Sequence, residues 1–249
     1  MPKFFVKSEQ IKDIYIFIQG EDVNHIINVL RMKNGEQLNI CNSDSGVNYI
    51  AQIDSYQKEY VKCKIVEQLD STTESNVNIT IFQGLPKFDK MELIIQKATE
   101  IGAKSIVPVA MKRSIVKLND KDLSKKLERW RKIAQIAAKQ SMRDYIPQIE
   151  GLLKPKDIVK LFNVFDLILI AYENEKDNTL KEELLKIKNK EDSYSIGIII
   201  GPEGGIDEEE INLFMEKDNV RKITLGKRIL RTETAGLVMA SNILYELEN

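Results

Sequence analysis

Apolar positions follow two different rhythms along the chain, and the change falls near residue 70. Before it, short alternating runs predict strands: "IYIFI", "EQLNI", "VNYIAQI" and "EYVKCKIVEQ". In the last of these, Val61, Cys63 and Ile65 share one face and lysines take the other. One helix interrupts the strands. Asp22 is placed to cap it, and Val23, Ile26, Ile27 and Leu30 recur at helical spacing on one side. Asn34-Gly35 marks a turn after it. These elements predict a small β-barrel-like module over residues 1–70. The polar stretch "DSTTESN" (70–76) has no large apolar residue and reads as a linker.

Beyond the linker, strand and helix alternate. "VNITIF", "SIVPVA", "DLILIAY", "SIGIIIG" and "RKITLG" are short apolar runs suited to buried strands. Between and after them lie amphipathic segments, including "DKMELIIQKATEIG", closed by Gly102, and "KKLERWRKIAQIAAKQSM". "TETAGLVMASNILYELE" supplies the last helix. This order predicts an α/β domain over 71–249, a mostly parallel sheet covered by helices.

Composition narrows the function classes. With 249 residues, 43% hydrophobic and 30% charged, the chain has the makeup of a soluble globular protein, and no apolar run approaches a bilayer span. The N-terminus carries no secretory signal core, so a cytoplasmic protein is expected. A single histidine, His25, rules out a multi-histidine metal site and disfavours a Ser-His or Cys-His nucleophile; no metal is expected. Cys41 and Cys63 form no CxxC and read as packed strand residues. The net charge of −1 hides a basic segment: from Lys112 to Arg143 eleven Lys or Arg face three acids, an excess of eight. Such a segment suits a polyanionic partner or a solvated helix.

Three strand ends hold the chemistry: "LIAYE" (169–173), "IIIGPEGG" (198–205) and "TLGKRILRTETAG" (224–236). Ligands of open parallel sheets bind outside the carboxyl ends of strands. Glycine there lets the backbone approach a ligand closely. Neither glycine cluster is a phosphate cradle, since GxxxxGK[ST] and GxGxxG are both absent. The helix after GPEGG opens on "DEEE", with Asp207 and Glu210 spaced as a capping box, and would repel a pyrophosphate. S-adenosylmethionine, with adenine, ribose and a positive sulfonium, suits this loop better. In the third loop, Arg231 precedes the last helix, whose Thr232 or Thr234 is placed to cap it. Arg231 reads equally as a cation for an oxygen-rich nucleophile or as one half of a surface pair with Glu233.

"IIIGPEGGIDEEEI" and "LGKRILRTETA" closely resemble the ribosomal RNA small subunit methyltransferase E (RsmE) family, of the SPOUT superfamily. The likeness runs nearly the whole chain. "HIINVLRMKNGEQLNICN" with "YIAQI" resembles the family's PUA-like RNA-binding module, and "GLPKFDKMELIIQKATEIGAKSIVPVAMKRSIVK" the start of its catalytic domain. "IAAKQSMRDYIPQI" matches a helix-then-proline signature. Three positions depart from the pattern: Phe88 stands where glycine is usual, Lys90 where arginine is common, and Met142 where a small or polar residue is usual. The resemblance implies a SPOUT domain with a deep C-terminal trefoil knot, a homodimer, and S-adenosylmethionine-dependent methylation of N3 of a uridine in 16S rRNA of the 30S subunit. The cofactor would lie against Leu169, Ala171 and Tyr172, against Gly201, Pro202, Glu203, Gly204 and Gly205, and against Leu225, Gly226, Arg228, Ile229, Leu230 and Arg231. Arg231, with Arg113 as a second cation, is expected to stabilise the uridine anion, and Glu203 or Glu233 to take the proton. Arg31, Lys33, Arg113, Lys139 and Arg143 are the expected phosphate contacts. An RNA other than 16S rRNA, or an assembly factor without methyl transfer, stays open at this level.

Overall fold

The computed structural model describes residues 2–70, 73–188 and 193–248. The chain forms two compact units: Met1–Glu74 with Ala138–Ile146, and Ser75–Ala137 with Pro147–Asn249. The first therefore takes in a segment, 138–146, remote from it in sequence.

In the first unit, β1 (Lys3–Val6), β2 (Ile11–Lys12), β3 (Tyr15–Gln19), β4 (Gln37–Asn42), β5 (Asn48–Tyr56) and β6 (Tyr60–Leu69) make one curled, half-barrel sheet in the order β1-β4-β5-β6-β3-β2. Only β1 and β4 run parallel; the other pairs are antiparallel. Alternation does what the sequence predicts: Ile16, Ile18, Leu38, Ile40, Ala51, Ile53, Val61 and Cys63 enter one core while their strand neighbours, the buried Cys41 apart, are at least partly exposed. Burial pushes the Cys63 thiol up to about 12 and the Cys41 thiol up to about 11, so neither is a nucleophile at neutral pH.

The helix of this unit departs from expectation. It is α1 (Glu21–Asn24) followed by a π-helical turn over His25–Val29. Val23 and Ile26 are buried, but Leu30 is exposed. Asp22 does not cap, because the N-cap is Gly20, two residues earlier, and the helix begins at Glu21. Its carboxylate instead accepts from Lys139 Nζ at 2.6 and 2.8 Å. His25 is exposed, its ring edge set against Phe4 at 6.1 Å. Of the polar stretch 70–76, Ser71 and Thr72 lie outside the described residues. Glu74 within it binds the Arg143 guanidinium and the Asp144 amide.

The second unit is a six-stranded sheet, all parallel: β7 (Val77–Gly84), β8 (Ser105–Val109), β9 (Gln148–Ile149), β10 (Leu167–Ala171), β11 (Tyr194–Ile200) and β12 (Val220–Ile223), in the order β12-β10-β11-β7-β8-β9. Helices α2 (Lys90–Ile101), α3 (Asp120–Gln140), α4 (Pro155–Ile158), α5 (Leu180–Ile187) and α6 (Glu208–Met215) connect the strands, and α7 (Thr232–Leu247) follows the last one. α2 stops at Gly102, whose φ of 121° suits a residue without Cβ. α5 starts on Thr179 and α6 on Asp207, each closed by a capping box. One core packs Phe82, Phe162 and Phe214 with Ile168, Ile170 and Ile199. Burying each such side chain contributes roughly 1.5–3 kcal/mol. Trp130 is 2% exposed, a core anchor of α3.

Candidate functional site

The sheet order makes β12, β10 and β11 neighbours, so the three unusual strand ends meet along one edge. A cavity of about 830 Å³ opens there, within the range of small-molecule sites. Its walls come from Ala171, Tyr172 and Glu173 after β10, from Ile200 through Glu203 with Gly205 and Ile206 after β11, and from Thr224 through Thr232 after β12.

Close backbone approach shapes it. A Cβ on Gly84, at the end of β7, would sit 2.6 Å from Pro202 Cδ, so the GPEGG loop seats directly on that strand. Gly205 has φ +72°, and a Cβ there would meet the Glu173 carboxylate at 3.0 Å. One buried network ties the last two loops together. The Thr232 hydroxyl donates to the Gly201 carbonyl at 2.6 Å and accepts from Gln83 Nε2 at 2.9 Å. Thr232 is therefore not the cap of α7. That position is Arg231, and no side chain caps it. Gln83 Oε1 stays buried without a partner.

Charges are distributed unevenly around the rim. Lys90 Nζ lies 3.1 Å from Glu203 and 3.2 Å from Glu233. Its ammonium is held above the ordinary lysine value, first by the bond to Glu203 and then by Glu233. Burial pushes the Glu203 carboxyl up, but its own amide, Lys90 and the Lys87 amide outweigh that, and the net shift is downward. Glu233 Oε2 is buried and neutralised by Lys90 without an aligned hydrogen bond. Glu175, which also lines the cavity, is lowered by accepting the amides of Asn178, Asp177 and Lys176. Arg231 lines the cavity, is exposed, and has no ion pair among the described residues.

The residues expected at the cofactor divide accordingly. Ala171, Tyr172, Gly201, Pro202, Glu203, Gly205, Leu225, Gly226, Arg228, Ile229, Leu230 and Arg231 all line the cavity. Leu169 does not: it is fully buried inside the sheet, in register with Ile198 and Arg221, two residues short of the strand end. Gly204 also falls outside the wall, its carbonyl accepting from Arg113 at 3.3 Å. Of the expected catalytic groups, Glu203 and Arg231 line the cavity; Glu233 and Arg113 do not. Arg113 is turned towards Asp207 at 3.4 Å.

The expected RNA contacts need correction. Arg143 is 4% exposed and paired with Glu74 at 2.6 Å, so its guanidinium is spent on the fold. Lys139 is likewise taken up by Asp22 and by the Phe4 ring at 5.5 Å. Arg31 and Lys33 are exposed. Within the basic segment, Lys112 pairs with Asp207 and Glu209, and Arg129 with Glu92. Lys117, Lys121 and Lys125 remain exposed without an ion pair among the described residues. Gln83 belongs to the site's network and is absent from the sequence expectations, whereas Thr232 and Glu173 lie within the quoted strand ends but take roles the sequence does not indicate. Each needs a partner distant in sequence, and only the apolar run before Gln83 hinted at the strand end it occupies.

An RNA methyltransferase domain matches residues 73–244, and an RNA methyltransferase PUA domain matches residues 18–66. The chain is thus of the RNA methyltransferase class that this sheet edge and its glycine loops define. More narrowly, it belongs to the ribosomal RNA small subunit methyltransferase E family. Over 252 residues it is 39% identical to that enzyme of Bacillus subtilis, covering 100% of this chain and 98% of the relative. A solved methyltransferase E from Neisseria gonorrhoeae, bound to S-adenosyl methionine, superposes with TM-score 0.85 at 27% identity, over 100% of this chain and 98% of that one. A methyltransferase from Legionella pneumophila, in complex with the same cofactor, gives TM-score 0.85 at 28% identity over 99% and 98%.

Proposed function

We propose that the protein uses S-adenosylmethionine to methylate N3 of one uridine in 16S rRNA of the 30S subunit. The observation that carries this is the cavity at the joined ends of β10, β11 and β12, with an unpaired arginine in its wall. The residues fit the cofactor. Gly201, Gly205 and Gly226 line the cavity, with Glu173 and Glu203 beside them and no phosphate cradle, which suits a positively charged donor. S-adenosylmethionine, when bound, supplies an electrophilic methyl group on sulfur.

This chain's side chains then have separable tasks. Uridine N3 becomes nucleophilic only on losing its proton, and the resulting charge spreads to the ring oxygens. Arg231, which has no ion pair among the described residues, takes the role of meeting that charge. Glu203 and Glu233 are clamped by Lys90, and the lowered Glu203 is the weaker base for it. We therefore assign Glu203 chiefly to holding the β11 loop, leaving proton transfer to Glu233 or water. The base must be unpaired or extruded to reach the cavity.

The remaining expectations belong to the same proposal. Residues 1–70 act as a PUA-like RNA-binding module, using Arg31 and Lys33 on phosphate. The enzyme works in the cytoplasm; among the described residues no helix is long and apolar enough to cross a membrane. It works as a homodimer, supported by α7, which is apolar along most of its length and still leaves Tyr245 89% exposed. β10 between β11 and β12, with the Thr224–Arg231 segment returned to Gly201 through Thr232, supports the trefoil knot.

Incubating the protein with labelled S-adenosylmethionine and unmodified 30S subunits tests the proposal. Label at N3 of a single 16S uridine is expected. Cofactor binding with label only in other RNA would replace the substrate.

A further inference from the structure

Phe88 is in the wrong place for a folding role. Its backbone has φ +55°, the left-handed region that a bulky side chain occupies only under strain. Its ring is 84% exposed, so almost none of the apolar surface is recovered by packing. Scattered exposed apolar residues are ordinary, but they do not normally combine with a strained backbone. Glycine would cost the fold less at this position.

The residues on both sides of Phe88 are fixed to the cavity wall. The Lys87 amide donates to both oxygens of Glu203, at 3.1 and 3.2 Å. Lys90 holds Glu203 and Glu233 from the other side. Upstream, Gly84 rests against Pro202. Phe88 thus rises from a short turn clamped to the loop that borders the site, one residue from a direct contact with the wall. A flat, apolar, exposed ring held at the rim matches the face of a nucleobase, and base–aromatic stacking needs no particular base. Lys87, which has no ion pair among the described residues, adds a cation next to it.

We propose that Phe88 is a stacking platform for an unpaired base of the RNA substrate, either the target nucleotide or the one beside it. This rests on the reading of the cavity as the site of RNA methylation. It makes Phe88 a substrate-positioning residue outside the cofactor pocket.

Phe88→Gly, Phe88→Leu and Phe88→Trp, assayed beside the wild type, test it through methylation of unmodified 30S subunits, S-adenosylmethionine affinity, Tm and oligomeric state. The expected result for Phe88→Gly is a KM for 30S raised roughly tenfold or more, as the loss of one stacked base predicts. Cofactor affinity and oligomeric state should not change, and Tm should be equal or higher because the strain is relieved. Phe88→Leu should fall with the glycine variant and Phe88→Trp should stay near wild type. A KM for Phe88→Gly within twofold of wild type would overturn the proposal. So would full activity in Phe88→Leu, or a KM change accompanied by weaker cofactor binding or altered assembly. A wild type that binds cofactor but methylates no RNA would instead overturn the reading of the site, and this proposal with it.

Discussion

The loop before α7 and the turn after α3 each carry an arginine that sequence offers to RNA, and the fold uses the two in opposite ways. Arg231 lines a cavity and has no ion pair among the described residues. Arg143 is sealed into the first unit, with Glu74 on its guanidinium. Both lie in basic, glycine- or proline-flanked stretches, and both read as ligand contacts. What separates them is whether the backbone around them brings up an acid. Around Arg231, Lys90 takes the neighbouring acids Glu203 and Glu233. Around Arg143, no second cation among the described residues pairs with Glu74, whose stretch reads from sequence only as a linker and which also accepts the Asp144 amide. A local excess of positive charge therefore says less than which cations are left over after folding.

Mutations sharpen that contrast. The largest effect is expected at Arg143. Arg143→Ala leaves Glu74 partly buried without its partner and should cost about 3 kcal/mol of stability, measured by denaturant unfolding. The salt dependence of RNA binding should stay at its wild-type slope, because no phosphate contact is lost. A normal Cm with a shallower salt slope would reverse the assignment. Arg231→Ala should do the converse: unchanged unfolding, with turnover on 30S lowered about 10²-fold, the scale of removing one stabiliser of a developing anion. Wild-type turnover in that variant would remove Arg231 from the chemistry.

A smaller effect is expected from pH. The folded-state value of Glu203 is depressed, so its contribution to stability is fully present above the ordinary glutamate value of about 4.3 and is lost as pH falls through the lower folded value. Glu203→Gln should make Tm less sensitive to acid in that window and leave Tm differences between pH 6 and pH 8 unchanged. A variant whose acid sensitivity matched the wild type would mean that the Lys90 clamp adds nothing to stability.

Much of this is legible in the sequence. The change of rhythm near residue 70, the five long parallel strands and the glycine ends of β11 and β12 follow from local pattern, because strand burial and turn chemistry are local properties. Short elements escaped: β2 and β9 have two residues each, too few for any period to show. Leu169 enters the expected contacts because the whole run "LIAYE" reads as a strand end, whereas its first residues lie inside β10 (Leu167–Ala171). The clamp and the network escaped for a different reason. Gln83 and Thr232 are 149 positions apart, and Lys87 meets Glu203 across 116, so only the fold's topology brings them together. Arg143 and Lys139 show the same limit, since a charge pattern does not name its partner.

Hydrogen exchange of the backbone amides, with and without S-adenosylmethionine, tests the central claim most directly. The account predicts slowed exchange in three separate segments at once, Ala171–Glu173, Gly201–Gly205 and Leu225–Arg231, with Leu169 unaffected because it is already buried in the sheet. Protection confined to another part of the chain, or none at cofactor concentrations that support methylation, would contradict the assignment of the joined strand ends as the methyl-donor site.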